Sequence, residues 1–165
     1  MEILGELLNE FFSYDIIDRF RSRKTNRSMH LEIQDKSTYL KGLLIIAKKD
    51  NVLSESEEEI LKKIASHLGF STDFYEYTIQ NLLSNEYLSE DPVQFTEEEI
   101  ARSFILDGLK LAHADSNTDE REIIWLRQTA LKNNISEGWF ENKLKEIKRK
   151  PLHMLKTDFA LLSLI

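Results

Sequence analysis

Ala47-Lys48-Lys49-Asp50-Asn51-Val52-Leu53-Ser54-Glu55-Ser56-Glu57 recurs in character at Ala112-His113-Ala114-Asp115-Ser116-Asn117-Thr118-Asp119-Glu120-Arg121-Glu122, an offset of 65 positions (from 50 to 115). The offset extends in both directions from this stretch. Leu44 falls on Leu109, Leu61 on Leu126, Ala65 on Ala130, Ser71 on Ser136 and Glu76 on Glu141. Other positions keep their character: Ile46 with Leu111, Phe74 with Trp139, Tyr75 with Phe140, Ile79 with Leu144. Shared helical periodicity alone explains apolar matches, but not acids matched within one loop. Two copies imply a pseudo-symmetric single domain, because a solenoid needs three or more.

The periodicity throughout is that of helices. In the first copy a helix runs through Leu40, Leu43, Leu44 and Ile46 and ends near Asp50. Ser54-x-x-Glu57 has the form of a capping box and opens a second helix with the face Ile60, Leu61, Ile64, Ala65 and Leu68. Gly69 is its expected stop, and Ser71 caps a third helix carrying Phe74, Tyr75 and Ile79. The connection from Ser84 to Phe95 leads to Thr96-x-x-Glu99, again a capping-box pattern. Three further helices follow, the second opened by Asp119-x-x-Glu122 and the third by Ser136. Repeat units of about 36–84 and 97–149 result. An amphipathic helix over residues 3–20 precedes them, and the apolar tail 152–165 forms a last helix. No stretch alternates as a strand would. The expectation is an all-α fold of about eight helices. Leu44, Leu61, Leu109, Leu126, Phe74 and Trp139 are its expected core.

Composition narrows the function. A chain of 165 residues that is 41% hydrophobic is long enough to bury one core. There is no cysteine, which excludes disulfides and thiolate metal sites. The acidic, amphipathic opening Met1-Glu2-Ile3-Leu4 does not fit a signal peptide, and no apolar run reaches membrane-spanning length. A soluble, cytoplasmic protein is expected. A net charge of −7 argues against general nucleic-acid binding, which needs positive charge to neutralise phosphates. The basic arm from Arg19 to Arg27 keeps a nucleic-acid adaptor as an alternative. A second basic cluster, Lys143 to Lys150, lies at a helix C-terminus, where cations offset the dipole.

The candidate chemistry lies in the loop between the first two helices of each copy. Asp115, Asn117 and Asp119 mimic the first ligand positions of an EF-hand, but Glu120 stands where the turn glycine belongs and Leu126 where the bidentate Glu belongs. A smaller oxygen site for calcium or magnesium remains, built from Asp115, Asn117, Asp119 and Glu122, with Asp50 and Glu57 as the weaker set of the first copy. The competing account is structural. Asp119 and Glu122 occupy the N-cap and third position of a helix, where carboxylates accept free N–H groups at the positive dipole end. Asp50 and Asp115 follow a negative helix end, and an Asx-turn would satisfy them without metal. The histidines His30, His67, His113 and His153 form no ligand pair at helical spacing, and there is no phosphate-binding glycine loop or nucleophile elbow.

The paired loops resemble the TerB-like family, named for a tellurite-resistance protein. Its motif runs Ala-x-Ala-Asp-Gly, then an apolar or Ser/Thr position, then a Glu seven residues after the Asp. Ala112, Ala114, Asp115 and Glu122 fit it, as do Ala47, Asp50, Leu53, Ser54 and Glu57, over about residues 36–148. Asn51 and Ser116 replace the glycine, and Lys49 the second alanine. The resemblance implies an all-α fold of paired helical units and a metal- or tellurite-stress role in membrane-linked or chaperone assemblies. The expected function is therefore a non-enzymatic acidic module that binds a protein partner, its loop carboxylates serving either as helix caps or as ligands of a divalent cation. The alternative is a metal-dependent hydrolase using the same carboxylates.

Overall fold

The computed structural model describes residues 31–49, 52–84, 89–115 and 118–165. The expected helix over 3–20 and the basic arm 19–27 lie outside them. The described residues form α1 (Ile33–Lys48), α2 (Glu55–His67), α3 (Thr72–Leu83), α4 (Glu98–Ala112), α5 (Glu120–Lys132), α6 (Glu137–Lys148) and the single turn α7 (Leu152–Leu155), then a 3₁₀ turn at Ala160–Ser163. The class is all-α, with no strand among the described residues.

The repeat is present in the backbone. The bounds of α2 and α3, moved by 65 (55 to 120, 72 to 137), are the bounds of α5 and α6. The stop signals coincide as well. Among the described residues, the two with positive φ are Gly69 at 90° and Asn134 at 61°, one after each second helix. At both, the chain closes in the same way: Phe70 N–H donates to Ala65 O, and Ile135 N–H to Ala130 O. This left-handed cap needs a residue that tolerates positive φ, and Gly and Asn are the usual choices. The next helices start alike, with Ser71 and Ser136 accepting from the N–H groups of Phe74 and Trp139.

Exchanging the two units leaves the pattern of helix contacts unchanged. α1 packs on α2 and α3 as α4 packs on α5 and α6, while α1 meets α5 as α4 meets α2. α1 and α4 pack on each other at the centre. Helix α1 is buried almost all round from Tyr39 to Ala47, as a central helix must be. The crossing requires close approach. The Phe104 ring tip lies so near Gly42 that a Cβ there would be 2.5 Å from it. Tyr39 meets Phe104 edge to face at 5.3 Å and donates its hydroxyl to Asp107 Oδ2 at 2.6 Å. Under the exchange Tyr39 corresponds to Phe104, and Gly42 to Asp107. Each aromatic thus points its tip at the other's partner position, where a bare ring meets glycine and a hydroxyl meets an acceptor.

Asp107 also holds the C-terminal segment. Its oxygens accept the N–H groups of Ala160 at 2.7 Å and Leu161 at 3.0 Å. Lys110 Nζ lies 3.5 Å away and donates to Asp158 O. Burial pushes the Asp107 carboxyl up, while Lys110, Tyr39 and the two amides pull it back. The tail is therefore not the single helix expected over 152–165. It breaks after Leu155 so that the free N–H groups opening the 3₁₀ turn reach the carboxylate. Leu155, Phe159, Leu161 and Leu164 are buried by this docking.

The connector also departs from expectation. Thr96 does not cap α4; the N-cap is Glu97, without a side-chain bond. Thr96 instead gives its N–H and hydroxyl to Asp35 at 3.0 and 2.5 Å, tying the connector to α1. Asn133 fixes the same strip, accepting from Phe95 N–H and donating to Val93 O. Of the expected core, Leu44, Leu61, Leu109, Leu126 and Phe74 are buried. Trp139 is only half-buried, because Arg102 covers its outer face at 4.7 Å instead of protein core.

A Gly42→Ala chain tests the crossing. Alanine adds up to ~1 kcal/mol of helix propensity, but overpacking against the Phe104 ring costs ~1–3 kcal/mol. Urea melts should show a net loss, and adding Phe104→Leu should recover part of it.

Candidate functional site

The acidic loops can be followed residue by residue. In the first copy Ser54 is the N-cap of α2, and the capping box is complete. Ser54 Oγ accepts from Glu57 N–H at 3.2 Å, and Glu57 Oε2 accepts from Ser54 N–H at 2.8 Å. Glu57 is 3% exposed, which this reciprocal bonding makes tolerable. Asp50 lies outside the described residues, as does Asn117.

In the second copy Asp119 is the N-cap of α5. Its Oδ1 accepts Arg121 N–H at 2.8 Å, and its two oxygens face the Arg121 guanidinium at 2.6–3.1 Å. These bonds hold the Asp119 carboxyl below the usual carboxylate range. Glu122 sits three residues into the helix and is buried. Asp115 lies half-buried in the bend after α4. Among the described residues, no three His, Asp or Glu side chains are placed to share a metal ion. Asp119 and Glu57 are engaged in holding helix ends, the role that their positions and the dipole favour.

His113 adjoins this loop. One ring nitrogen, Nδ1, meets Leu109 O at 2.7 Å, whereas Nε2 is buried with no hydrogen-bond partner among the described residues. The Nδ1–H tautomer fits this arrangement. Burial, and then the charge of Lys148, push the imidazole pKa down, against the pull of the Leu109 carbonyl.

A second feature was not visible in the loop motif. A cleft of about 440 Å³ opens where the end of α1 meets α5. Lys48 and Lys49 come from α1 and its cap, Glu90 from the connector, and Arg121, Ile124 and Trp125 from α5. Trp125 donates its indole N–H to Glu90 O at 2.7 Å, and the Glu90 carboxylate pairs with Lys49. Ile124 is 47% exposed beside them. The sequence signal for this site lies where the two copies disagree. Lys48, Lys49 and Arg121 stand opposite His113, Ala114 and Ser56.

The imidazole sets a pH dependence. A proton binds His113 less readily in the native chain than in the unfolded one, so the unfolded state takes it up first as the pH falls. The stability due to neutral His113 is therefore present above its ordinary value of 6.5 and lost below it. Denaturant melts between about pH 7 and pH 5 should show that loss, and His113→Gln should flatten it.

Compared with known proteins, the chain matches no family model, no curated protein and no solved structure.

Proposed function

We propose that this protein is a non-enzymatic helical binding or scaffold module, of the tellurite-resistance and stress-response type that its loops resemble. The observation that supports this is the cleft between α1 and α5. It places the exposed side chain of Ile124 beside the Trp125 indole, the cations Lys48, Lys49 and Arg121, and the Glu90 carboxylate that pairs with Lys49. A cleft that gathers an apolar side chain, an indole and several polar groups is the default place for a binding site. No helix among the described residues is long and apolar enough to cross a membrane. A protein is the partner that this reading favours.

The Asp115 loop is the regulatory element of the proposal. Asp115 follows a helix C-terminus, where a negative charge is unfavourable, so a compensating contact orders it. A calcium or magnesium ion shared with Asn117, Asp119 and Glu122 is one such contact, and an amide bond is the other.

Two experiments test these statements. Crosslinking and capture should recover a defined partner with the native chain and lose it with Ile124→Ser; equal recovery would reject the cleft as the contact surface. Calcium should raise the melting temperature if the loop holds a cation, since a ligand bound only by the native state stabilises by mass action. Asp115→Asn should then abolish the rise. A calcium-independent melt removes the metal and leaves the amide account.

A further inference from the structure

The end of α6 carries charges that the fold does not use. Lysine or arginine stands at 143, 145, 148, 149, 150 and 156, and Glu146 is the one acid within residues 143–156, in a chain of net charge −7. Some of these cations are engaged. Lys143 pairs with Glu146 at 2.8 Å, Lys150 lies 3.7 Å from Asp158, and Lys156 meets Glu59 at 3.3 Å. Lys145, Lys148 and Arg149 are exposed, and none has an ion-pair partner among the described residues. They stand at i, i+3 and i+4, so they are neighbours on the helix surface. The helix dipole favours cations in this last turn. It does not account for the residues that follow.

Pro151 leads directly into α7, of which only Leu155 is buried. Leu152 is 51% exposed and Met154 47%, with His153 exposed between them. One helical turn spreads three successive side chains over about 200° of arc. The corner is therefore a projecting knuckle and not a groove. Single exposed apolar residues are ordinary, but two large ones held out beside three unpaired cations form a patch of the kind that marks a contact surface.

The shape and the charge select the occupant. A knuckle cannot enclose a peptide side chain, and a nucleic-acid backbone gives Leu152 and Met154 no apolar contact. An anionic bilayer meets both halves at once. Its headgroups lie at the level of the cations, and the acyl boundary beneath them takes the apolar side chains. The long stems of lysine and arginine keep their charges among the headgroups while the apolar residues go deeper. We propose that the corner formed by Lys145, Lys148, Arg149, Leu152 and Met154 rests on an anionic phospholipid surface. It shares no residue with the cleft between α1 and α5 and stands apart from the reading of that cleft. The chain lies on the bilayer by this contact and does not cross it.

The test floats the full chain with vesicles of phosphatidylcholine, with and without phosphatidylserine. The chain should float with the anionic vesicles and not with the neutral ones, and less of it as salt rises. Lys145→Glu and Arg149→Glu should each weaken binding about tenfold, whereas Lys62→Glu, the same charge change on exposed Lys62 of α2, should weaken it by less than about threefold. Leu152→Ser combined with Met154→Ser should weaken it at every salt concentration. All these side chains are exposed, so folding should survive, and circular dichroism melts check this. The chain has no cysteine, so Leu152→Cys takes a single environment-sensitive dye. Its emission should move to the blue on anionic vesicles. The same dye at Leu131→Cys, where Leu131 is 53% exposed ahead of the start of α6, should not move. No flotation with anionic vesicles, equal flotation with neutral ones, or equal effects of Arg149→Glu and Lys62→Glu overturns the proposal. Flotation with the dye at position 152 unmoved also overturns it and assigns the lipid contact elsewhere in the chain, the basic stretch 19–27 included. Binding of polyglutamate without flotation would give the corner to an acidic protein, and the lipid proposal would fall.

Discussion

The contact between α1 and α4 governs the rest of the molecule. Two central helices approach closely because position 42 is glycine and accepts the tip of the Phe104 ring. The reciprocal position, 107, carries a carboxylate that receives the Tyr39 hydroxyl. A dimer of identical units would have the same contact twice. Here one side is apolar and the other polar. A buried carboxylate cannot stay under-bonded in a low-dielectric interior, so Asp107 recruits two backbone amides and Lys110. The docking of the C-terminal segment follows from that requirement.

What could be read from the residues was mostly local. Ser54 with Glu57, Gly69, and Ser71 and Ser136 act within one turn of their own position, and the structure uses each as its local chemistry indicates. The 65-residue offset added the tertiary arrangement, because equal pieces bury equal faces against each other. The failures share the opposite property. Thr96 has a good capping pattern beside it, but Asp35, distant in sequence, offers its hydroxyl a buried acceptor. The tail reads as a helix until Asp107 claims its amides. Trp139 lies on an apolar face, yet an arginine rather than core reaches its outer side. In each case a long-range partner outweighed the local signal.

The candidate site divides in the same way. The capping role of Asp119 and Glu57 was legible because an N-cap is a local object. The cleft was not, since Lys48 and Trp125 are joined only by the packing of α1 on α5. Duplicated folds offer a way to find such places. Positions conserved between copies report the scaffold, and positions where the copies diverge report what each copy has been left free to do. Lys49 against Ala114 and Ile124 against Glu59 are divergences of this second kind.

The Asp107 network also bears on how the chain is made. Ribosomal synthesis delivers the carboxylate 53 residues before Ala160, the first of its amide donors. At ordinary elongation rates that interval is roughly 3–10 s. The connector strip fastened by Asp35 and Asn133 precedes the second unit, whereas the segment held by Asp107 follows it. Throughout the interval Tyr39 and Lys110 can reach Asp107, but water must stand in for the amides of Ala160 and Leu161. The nascent protein can therefore bring α1 and α4 together before the buried carboxylate between them has its full set of donors.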